Sequence, residues 1–288
     1  MKLNKDMNIL IVGLGLLGGS YAKSLKKQGF KVSAITRSQS SIDYALENGL
    51  IDKGSISVDS ELVGAADLIV FALYPKVFVE WLKTNQHLFK SGAVITDVTG
   101  VKSCIVYDIQ EFLREDVEFI AAHPMAGKEV YGVENADDKM FEKANYIVVP
   151  TSKNTASAME LCRDLGNTLG FKDVSELSPE MHDEMIAYLS QLTHVIAVSL
   201  MCCNDFRGLE NYTGDSFRDL TRIAAINDDM WSELFLLNRD ALLREMDKFR
   251  RSFNDMYDKL QACDRDGMRD LMRVSTERRK RFNKKKEI

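Results

Sequence analysis

Three features of the 288-residue sequence predict an α/β fold, in which a doubly wound parallel sheet is followed by an all-helical half. Short apolar runs alternate with helical stretches from Met7 to about Ser178, the pattern of parallel strands covered by helices. Residues 8–20, NILIVGLGLLGGS, read as a buried strand, a glycine turn and a helix start in that order. After Ser178 the strand signal stops and helical periodicity runs to the end.

The first strand, 9–12, feeds a GxGxxG loop. Gly13 allows the tight turn, Gly15 lets the backbone approach a phosphate, and Gly18 lets the helix pack closely on the strand. The amphipathic segment 16–29 follows, and its first amides, at Leu16 and Leu17, face an anion with the help of the helix dipole. This context marks a Rossmann-type dinucleotide site; a glycine turn that merely packs a helix on a sheet is the plainer alternative. The second strand, 32–35, runs on into Thr36, Arg37 and Ser38. A carboxylate there would bind a ribose 2'-hydroxyl, whereas a guanidinium between two hydroxyls suits a 2'-phosphate. NADP is therefore favoured over NAD, against an ordinary surface arginine.

Further strands are expected at 68–73, 93–98, 118–122, 146–149 and, more weakly, 174–177. Ser-Pro-Glu at 178–180 is a helix start, with Pro179 suited to the first turn. The long segments 182–204 and 228–260 are too apolar to stand alone, so they bury against each other or a second subunit. The change of periodicity divides the chain into 1–177 and 178–288.

The apolar fraction of 45%, the charged fraction of 28% and the net charge of −5 are ordinary for a soluble protein. Nothing in them asks for nucleic acid or membrane. The five cysteines form no CxxC spacing, which argues for reduced thiols and against a disulfide framework or a structural zinc site. The N-terminus shows no signal-peptide pattern, and no apolar run near 18 residues is apparent, so a cytoplasmic location is expected. Residues 278–286 hold seven basic residues in nine, read as a solvated helix end.

His123 follows an expected strand in IAAHPMAGKE, at the carboxyl edge of the sheet where α/β proteins bind ligands. An imidazole there is suited to general-base work near neutral pH; a histidine satisfied by backbone groups is the alternative. His182 and His194 lie 12 residues apart in one helical stretch, about 18 Å along the axis, too far to share a metal. His194 has Ser190, Gln191 and Thr193 as neighbours, a polar group that lines either a site or a helix contact. Arg218 and Arg222 are four apart on one helix face. Either can pair with Asp215 or Asp219, and Arg222, followed by small apolar residues, is the better candidate to grip a substrate carboxylate.

Taken together, these pieces closely resemble the prephenate and arogenate dehydrogenases of tyrosine biosynthesis, over nearly the whole chain. The resemblance rests on GLGLLGGS at 13–20, TDVTGVK at 96–102, HPMAGKE at 123–129, SPEMHD at 178–183, SQLTH at 190–194, and FRDLTRIA at 217–224 followed by Trp231. It implies a Rossmann domain at 1–177, a helical substrate and dimerisation domain at 178–288, a homodimer, and a cytoplasmic nicotinamide-dependent oxidoreductase. The implied reaction is oxidative decarboxylation of prephenate to 4-hydroxyphenylpyruvate, with arogenate to tyrosine as the alternative.

By the same resemblance His123 matches the catalytic histidine, Arg222 the carboxylate-binding arginine, and His194 a histidine lining the substrate site. Asp215, in GDSF, would meet the ammonium group of arogenate, or else serve as a helix cap. Where relatives carry a serine this chain has Gly100, which leaves Thr99, Ser103 or a water to position the substrate hydroxyl. A β-hydroxy acid dehydrogenase of the same architecture leaves the His123 motif unexplained, and a sensor without turnover has only Gly100 in its favour. The chain ends soon after the helical domain, so no fused mutase or regulatory domain is expected.

Overall fold

The computed structural model describes residues 2–128 and 130–282. The chain forms two compact units, Met1–Asn238 and Arg239–Ile288. In the first, the elements run β1 (Asn8–Val12), α1 (Leu16–Lys27), β2 (Lys31–Ile35), α2 (Gln39–Glu47), β3 (Lys53–Ser55), α3 (Ser60–Ala65), β4 (Leu68–Phe71), α4 (Pro75–Asn85), β5 (Val94–Asp97), α5 (Ser103–Phe112) and β6 (Glu118–Phe119). The six strands form one parallel sheet in the order β3-β2-β1-β4-β5-β6, the doubly wound order. Strand residues are buried on both faces because helices cover both. Ile9, Ile11, Val32, Ala34, Leu68 and Val70 belong to one core, and Leu10, Val12, Ile69, Phe71 and Ile95 to the other.

A second, three-stranded sheet follows: β7 (Ala121–Pro124), β8 (Asn145–Val149), α6 (Ala156–Leu169) and β9 (Asp173–Glu176), in the order β7-β8-β9. The single strand expected at 118–122 is therefore two strands, because Ile120 still donates its N–H to the Ile95 carbonyl while the next residues leave to pair antiparallel with β8. The expectation of an all-parallel sheet is corrected at this point, and His123 stands on the departing strand, opposite Ile147. β3 carried no expectation, since Lys-Gly-Ser has no apolar alternation to read.

From Pro179 onward the described chain holds helices and turns only: α7 (Pro179–Ile186), α8 (Leu192–Cys202), α9 (Asp215–Thr221) and α10 (Asp228–Leu237) in the first unit. Ser178 caps α7 by accepting from the Met181 N–H, with Pro179 in the first turn as expected. α7 and α8 are joined by a π turn, Ala187–Gln191. The second unit is a helical hairpin of α11 (Arg239–Gln261) and α12 (Arg265–Lys280), turned through Cys263 at φ 54 and capped by Asp264. The basic run shows as the end of α12 through residue 282, and its remainder lies outside the described residues.

One expectation about apolar runs needs correction. The helical run Pro179–Cys202 is long and apolar enough by composition to cross a membrane, and 28% of its most apolar window is buried. Three of its polar side chains, His182, Asp183 and Gln191, are nonetheless buried among protein partners.

The glycine loop fits the roles read from its spacing. Gly13 has φ +102, and a β-carbon there would lie 2.4 Å from the Ala72 carbonyl oxygen. A β-carbon on Gly18 would lie 1.9 Å from the Gly13 carbonyl oxygen, whereas one on Gly15 would meet nothing within 4 Å. Gly18→Ala is expected to lower stability by about 1 to 3 kcal/mol, because backbone must move to admit the methyl group. Gly15→Ala should not lower the melting temperature of the free protein, yet should weaken dinucleotide binding by filling the open side of the loop. Thermal denaturation with and without NADP distinguishes the two variants.

Candidate active site

The site begins at the carboxyl end of β5. Asp97 and Lys102 are both fully buried, and the Lys102 ammonium lies 2.6 Å from Asp97 Oδ2. Asp97 Oδ1 accepts from the Ala122 N–H at 3.1 Å, and Oδ2 from the Thr99 N–H at 3.0 Å. The carboxylate therefore ties β5 to β7 one residue before His123. Burial pulls the Lys102 pKa down, and the Asp97 charge opposes that fall.

The Lys102 and Ser103 backbone N–H groups donate to the two oxygens of Asp183, at 2.9 and 2.8 Å. Asp183 thus sits at the N-terminus of α5, where free amides and the helix dipole favour an anion. Burial alone would raise its carboxyl pKa, but the His182 ring and the Ser103 N–H outweigh that and hold it below the usual range.

From Asp183 the chain of contacts reaches His123. His182 Nδ1 lies 2.8 Å from Asp183 Oδ1, and His182 Nε2 lies 2.8 Å from His123 Nδ1. The carboxylate can only accept, so His182 carries its proton on Nδ1 and offers the Nε2 lone pair. His123 then donates from Nδ1 and is left with a lone pair on Nε2. The partner of His123 is thus another imidazole rather than the backbone. Burial, then the His182 and Lys102 charges, push the His123 pKa well below its ordinary value. Burial likewise lowers that of His182.

His123 Nε2 faces the space beside Gly100. A β-carbon at Gly100 would lie 3.9 Å from this nitrogen and 3.8 Å from Leu234 Cδ1, ordinary van der Waals separations. Thr99, expected to offer its hydroxyl in place of the missing serine, is committed elsewhere. Its Oγ1 bonds the Asp97 carboxylate, lies 3.0 Å from the Val101 carbonyl and 3.1 Å from the Lys102 ammonium. A buried ammonium needs such oxygens around it.

α10 joins the two ends of the site. Leu234 meets the Gly100 side, and Trp231, one turn earlier, stacks on His194 with ring centroids 3.7 Å apart. His194 Nδ1 lies 2.9 Å from the Ser190 carbonyl oxygen and donates to it. Gln191 donates to the Leu234 carbonyl at 3.0 Å and accepts from Asn238, which also donates to the Asp183 carbonyl at 2.9 Å. The π turn matters to this arrangement. In an unbroken α-helix, residues 12 apart would point about 120° away from each other, and a π turn winds back roughly 90° of that difference. His182 and His194 thereby share a face.

Arg222 opens the turn Arg222–Ala224, which packs against α8, the helix that carries His194, and its side chain is exposed. Arg218 is the arginine that pairs with Asp215, at 2.6 Å, in an exposed contact. Asp215 is the first residue of α9, and the N-cap position is held by Gly214.

The dinucleotide loop emerges at the same sheet edge. Val12, Phe71 and Asp97 are in register across β1, β4 and β5, so about 10 Å separates the strand ends. The open side of Gly15 and the first turn of α1, with Leu16 and Leu17, fit a pyrophosphate. At the end of β2, the Thr36 N–H is bound to the Ser55 carbonyl, Arg37 is exposed, and Ser38 caps α2 by accepting from the Ser41 N–H.

Comparison with known proteins agrees with this architecture. Residues 21–175 match the family model described as prephenate dehydrogenase, nucleotide-binding domain, and residues 178–274 that of the prephenate dehydrogenase, dimerization domain. The chain belongs to the prephenate dehydrogenase family. Prephenate dehydrogenase of Bacillus subtilis is 32% identical over 263 residues, 88% of this chain and 70% of that protein. The crystal structure of prephenate dehydrogenase from A. aeolicus, in complex with hydroxyphenyl propionate and NAD+, superposes with a TM-score of 0.86 at 29% identity, covering 95% of this chain and 98% of that one. Synechocystis arogenate dehydrogenase gives 0.83 at 25% identity, covering 96% and 100%. The fold is thus the Rossmann-type domain with a helical C-terminal half, and the chain is an oxidoreductase of this family.

Asp97, Lys102, His182, Asp183 and Trp231 had no role assigned from the sequence. All five lay within or beside quoted motifs, and for Asp97 and Lys102 the available signal was a charged residue inside an otherwise apolar segment. Because His123 and His182 both have lowered pKa values, the unfolded chain takes up protons that the folded chain refuses. Stability is therefore fullest above the unfolded histidine pKa of about 6.5 and falls as the pH drops below it. Between pH 6.5 and 5 the loss is at most about 2 kcal/mol per histidine. Urea unfolding at pH 7.5 and pH 5 should show a smaller loss for His123→Asn than for the wild type; equal losses would contradict the neutral pair.

Proposed function

We propose that the chain oxidises and decarboxylates prephenate to 4-hydroxyphenylpyruvate in tyrosine biosynthesis, acting in the cytoplasm with a nicotinamide cofactor. The observation that carries the reading is the His123 Nε2 lone pair, fixed by His182 and Asp183 and set beside Gly100 near the sheet edge that bears the glycine loop. When bound at Gly13, Gly15, Leu16, Leu17 and Gly18, the cofactor supplies the hydride acceptor. His123 accepts the proton of the ring hydroxyl as hydride leaves the same carbon. Loss of carbon dioxide is then driven by aromatisation, so the protein needs chiefly to orient the ring and hold one proton.

Arg222 grips a substrate carboxylate, and His194, held by its stack on Trp231, lines the substrate site. Asp215, engaged by Arg218, is given no substrate contact in this reading. Thr36, Arg37 and Ser38 receive the adenosine ribose, and the exposed guanidinium favours NADP. The helical half forms a homodimer. In support, Phe249, Phe253 and Tyr257 recur every four residues along α11 and are 40%, 63% and 58% exposed, an apolar stripe of the kind a second subunit covers.

His123→Asn is expected to fold, bind cofactor and lose about 100-fold to 10,000-fold in turnover of prephenate, since asparagine cannot take a proton near neutral pH. Following reduced-cofactor absorbance measures it; near wild-type turnover removes His123 from the role. Arg37→Ala should raise KM for NADP far more than for NAD, because only NADP offers a 2'-phosphate. A wild type that prefers NAD, with Arg37→Ala silent, would refute the NADP reading.

A further inference from the structure

We propose that His182 is a proton store for the reaction, taking the Nδ1 proton of His123 as His123 Nε2 accepts the substrate hydroxyl proton. This rests on the prephenate reading above and adds a role for a residue that does not touch substrate. In the forward step the substrate O–H bond breaks and a His123 Nε2–H bond forms, while the His123 Nδ1–H bond breaks and a His182 Nε2–H bond forms. The hydride leaves with the electron pair of its C–H bond for the nicotinamide cofactor, and the ring carbon becomes a carbonyl. His123 ends neutral and His182 ends as an imidazolium against Asp183.

The geometry favours charge on the second ring. The His123 Nδ1 to His182 Nε2 separation of 2.8 Å is a direct hydrogen bond, and the far nitrogen of His182 already donates to a carboxylate at 2.8 Å. That carboxylate is pinned by two backbone N–H groups, so it is in place before the charge forms. Among the described residues His123 has no carboxylate as a hydrogen-bond partner, and burial and the Lys102 ammonium oppose a cation on it.

Proton balance explains why the store is sealed. Decarboxylation returns the C–C bond pair to the ring, and the carbonyl oxygen becomes a phenolate that takes a proton back. The cycle releases no net proton from this oxygen. A store with an exit to solvent is therefore unnecessary, and His182 is 0% exposed. The proton returns along the same two nitrogens.

The decisive variant is His182→Gln, whose side-chain amide oxygen can occupy the place of Nε2 and accept from His123 Nδ1 without taking the proton. The full-length variant should bind prephenate and cofactor like the wild type yet turn over roughly 10-fold or more slowly. Single-turnover rates in H2O and D2O mixtures should bow for the wild type, reporting two moving protons, and fall on a line for the variant. Nitrogen-15 NMR of the histidines in the ligand-free protein should show His123 protonated on Nδ1 in both. Wild-type turnover by His182→Gln, a linear wild-type inventory or a His123 protonated on Nε2 overturns the store. If the variant fails to fold, the wild-type inventory and spectrum decide alone. If the wild type leaves prephenate untouched, the parent reading fails instead, and the tautomer measurement still reports the hydrogen-bond chain.

Discussion

The buried pair of Asp97 and Lys102 is the constraint on which the rest of the site depends. Two charges without solvent are stable only when each finds a full set of partners, and removing one partner of such a pair typically costs about 3 to 5 kcal/mol. The partners recruited here are structural as well as electrostatic. Asp97 takes the Ala122 N–H and so fixes the strand that bears His123, while the Lys102 backbone takes Asp183 and so fixes the helix that bears His182. One side chain and one main chain thus set both histidines in place.

A second consequence is the neutrality of those histidines. Desolvation and a nearby ammonium make a proton on His123 expensive, which is the condition a base needs if it is to be free at neutral pH. Asp183 supplies the counterweight one residue further along, because its carboxylate is the only anion in direct contact with the two rings among the described residues. The order carboxylate, imidazole, imidazole then fixes both tautomers without any group having to rotate.

The cofactor side of the fold is governed by a different force, steric exclusion. Gly13 and Gly18 are glycines because a carbonyl oxygen occupies the place of a β-carbon. Gly15 is open, so its lack of a side chain serves a ligand rather than the fold. The same distinction separates Gly100, where an added β-carbon meets only ordinary contacts beside His123 and the backbone does not demand glycine.

Local sequence determined much of this protein. Apolar runs of strand length, the glycine spacing, Ser178 with Pro179 as a helix start and the motif around His123 specified the sheet, the loop and the helical half, because each is an interaction between near neighbours in the chain. The long-range arrangements were not legible. Nothing local says that the strand at 118–122 divides between two sheets, that Thr99 turns inward to a buried ammonium, or that Lys102 is buried at all. Nor does local sequence say that a π turn at Ala187–Gln191 interrupts the helical run between His182 and His194. The divided strand and the burial of Lys102 depend on partners 25 and 81 residues away, Asp97 with Ala122 and Asp183 with Lys102. Only the folded chain supplies them, since the cost of burying a charge or a histidine is decided by what packs against it.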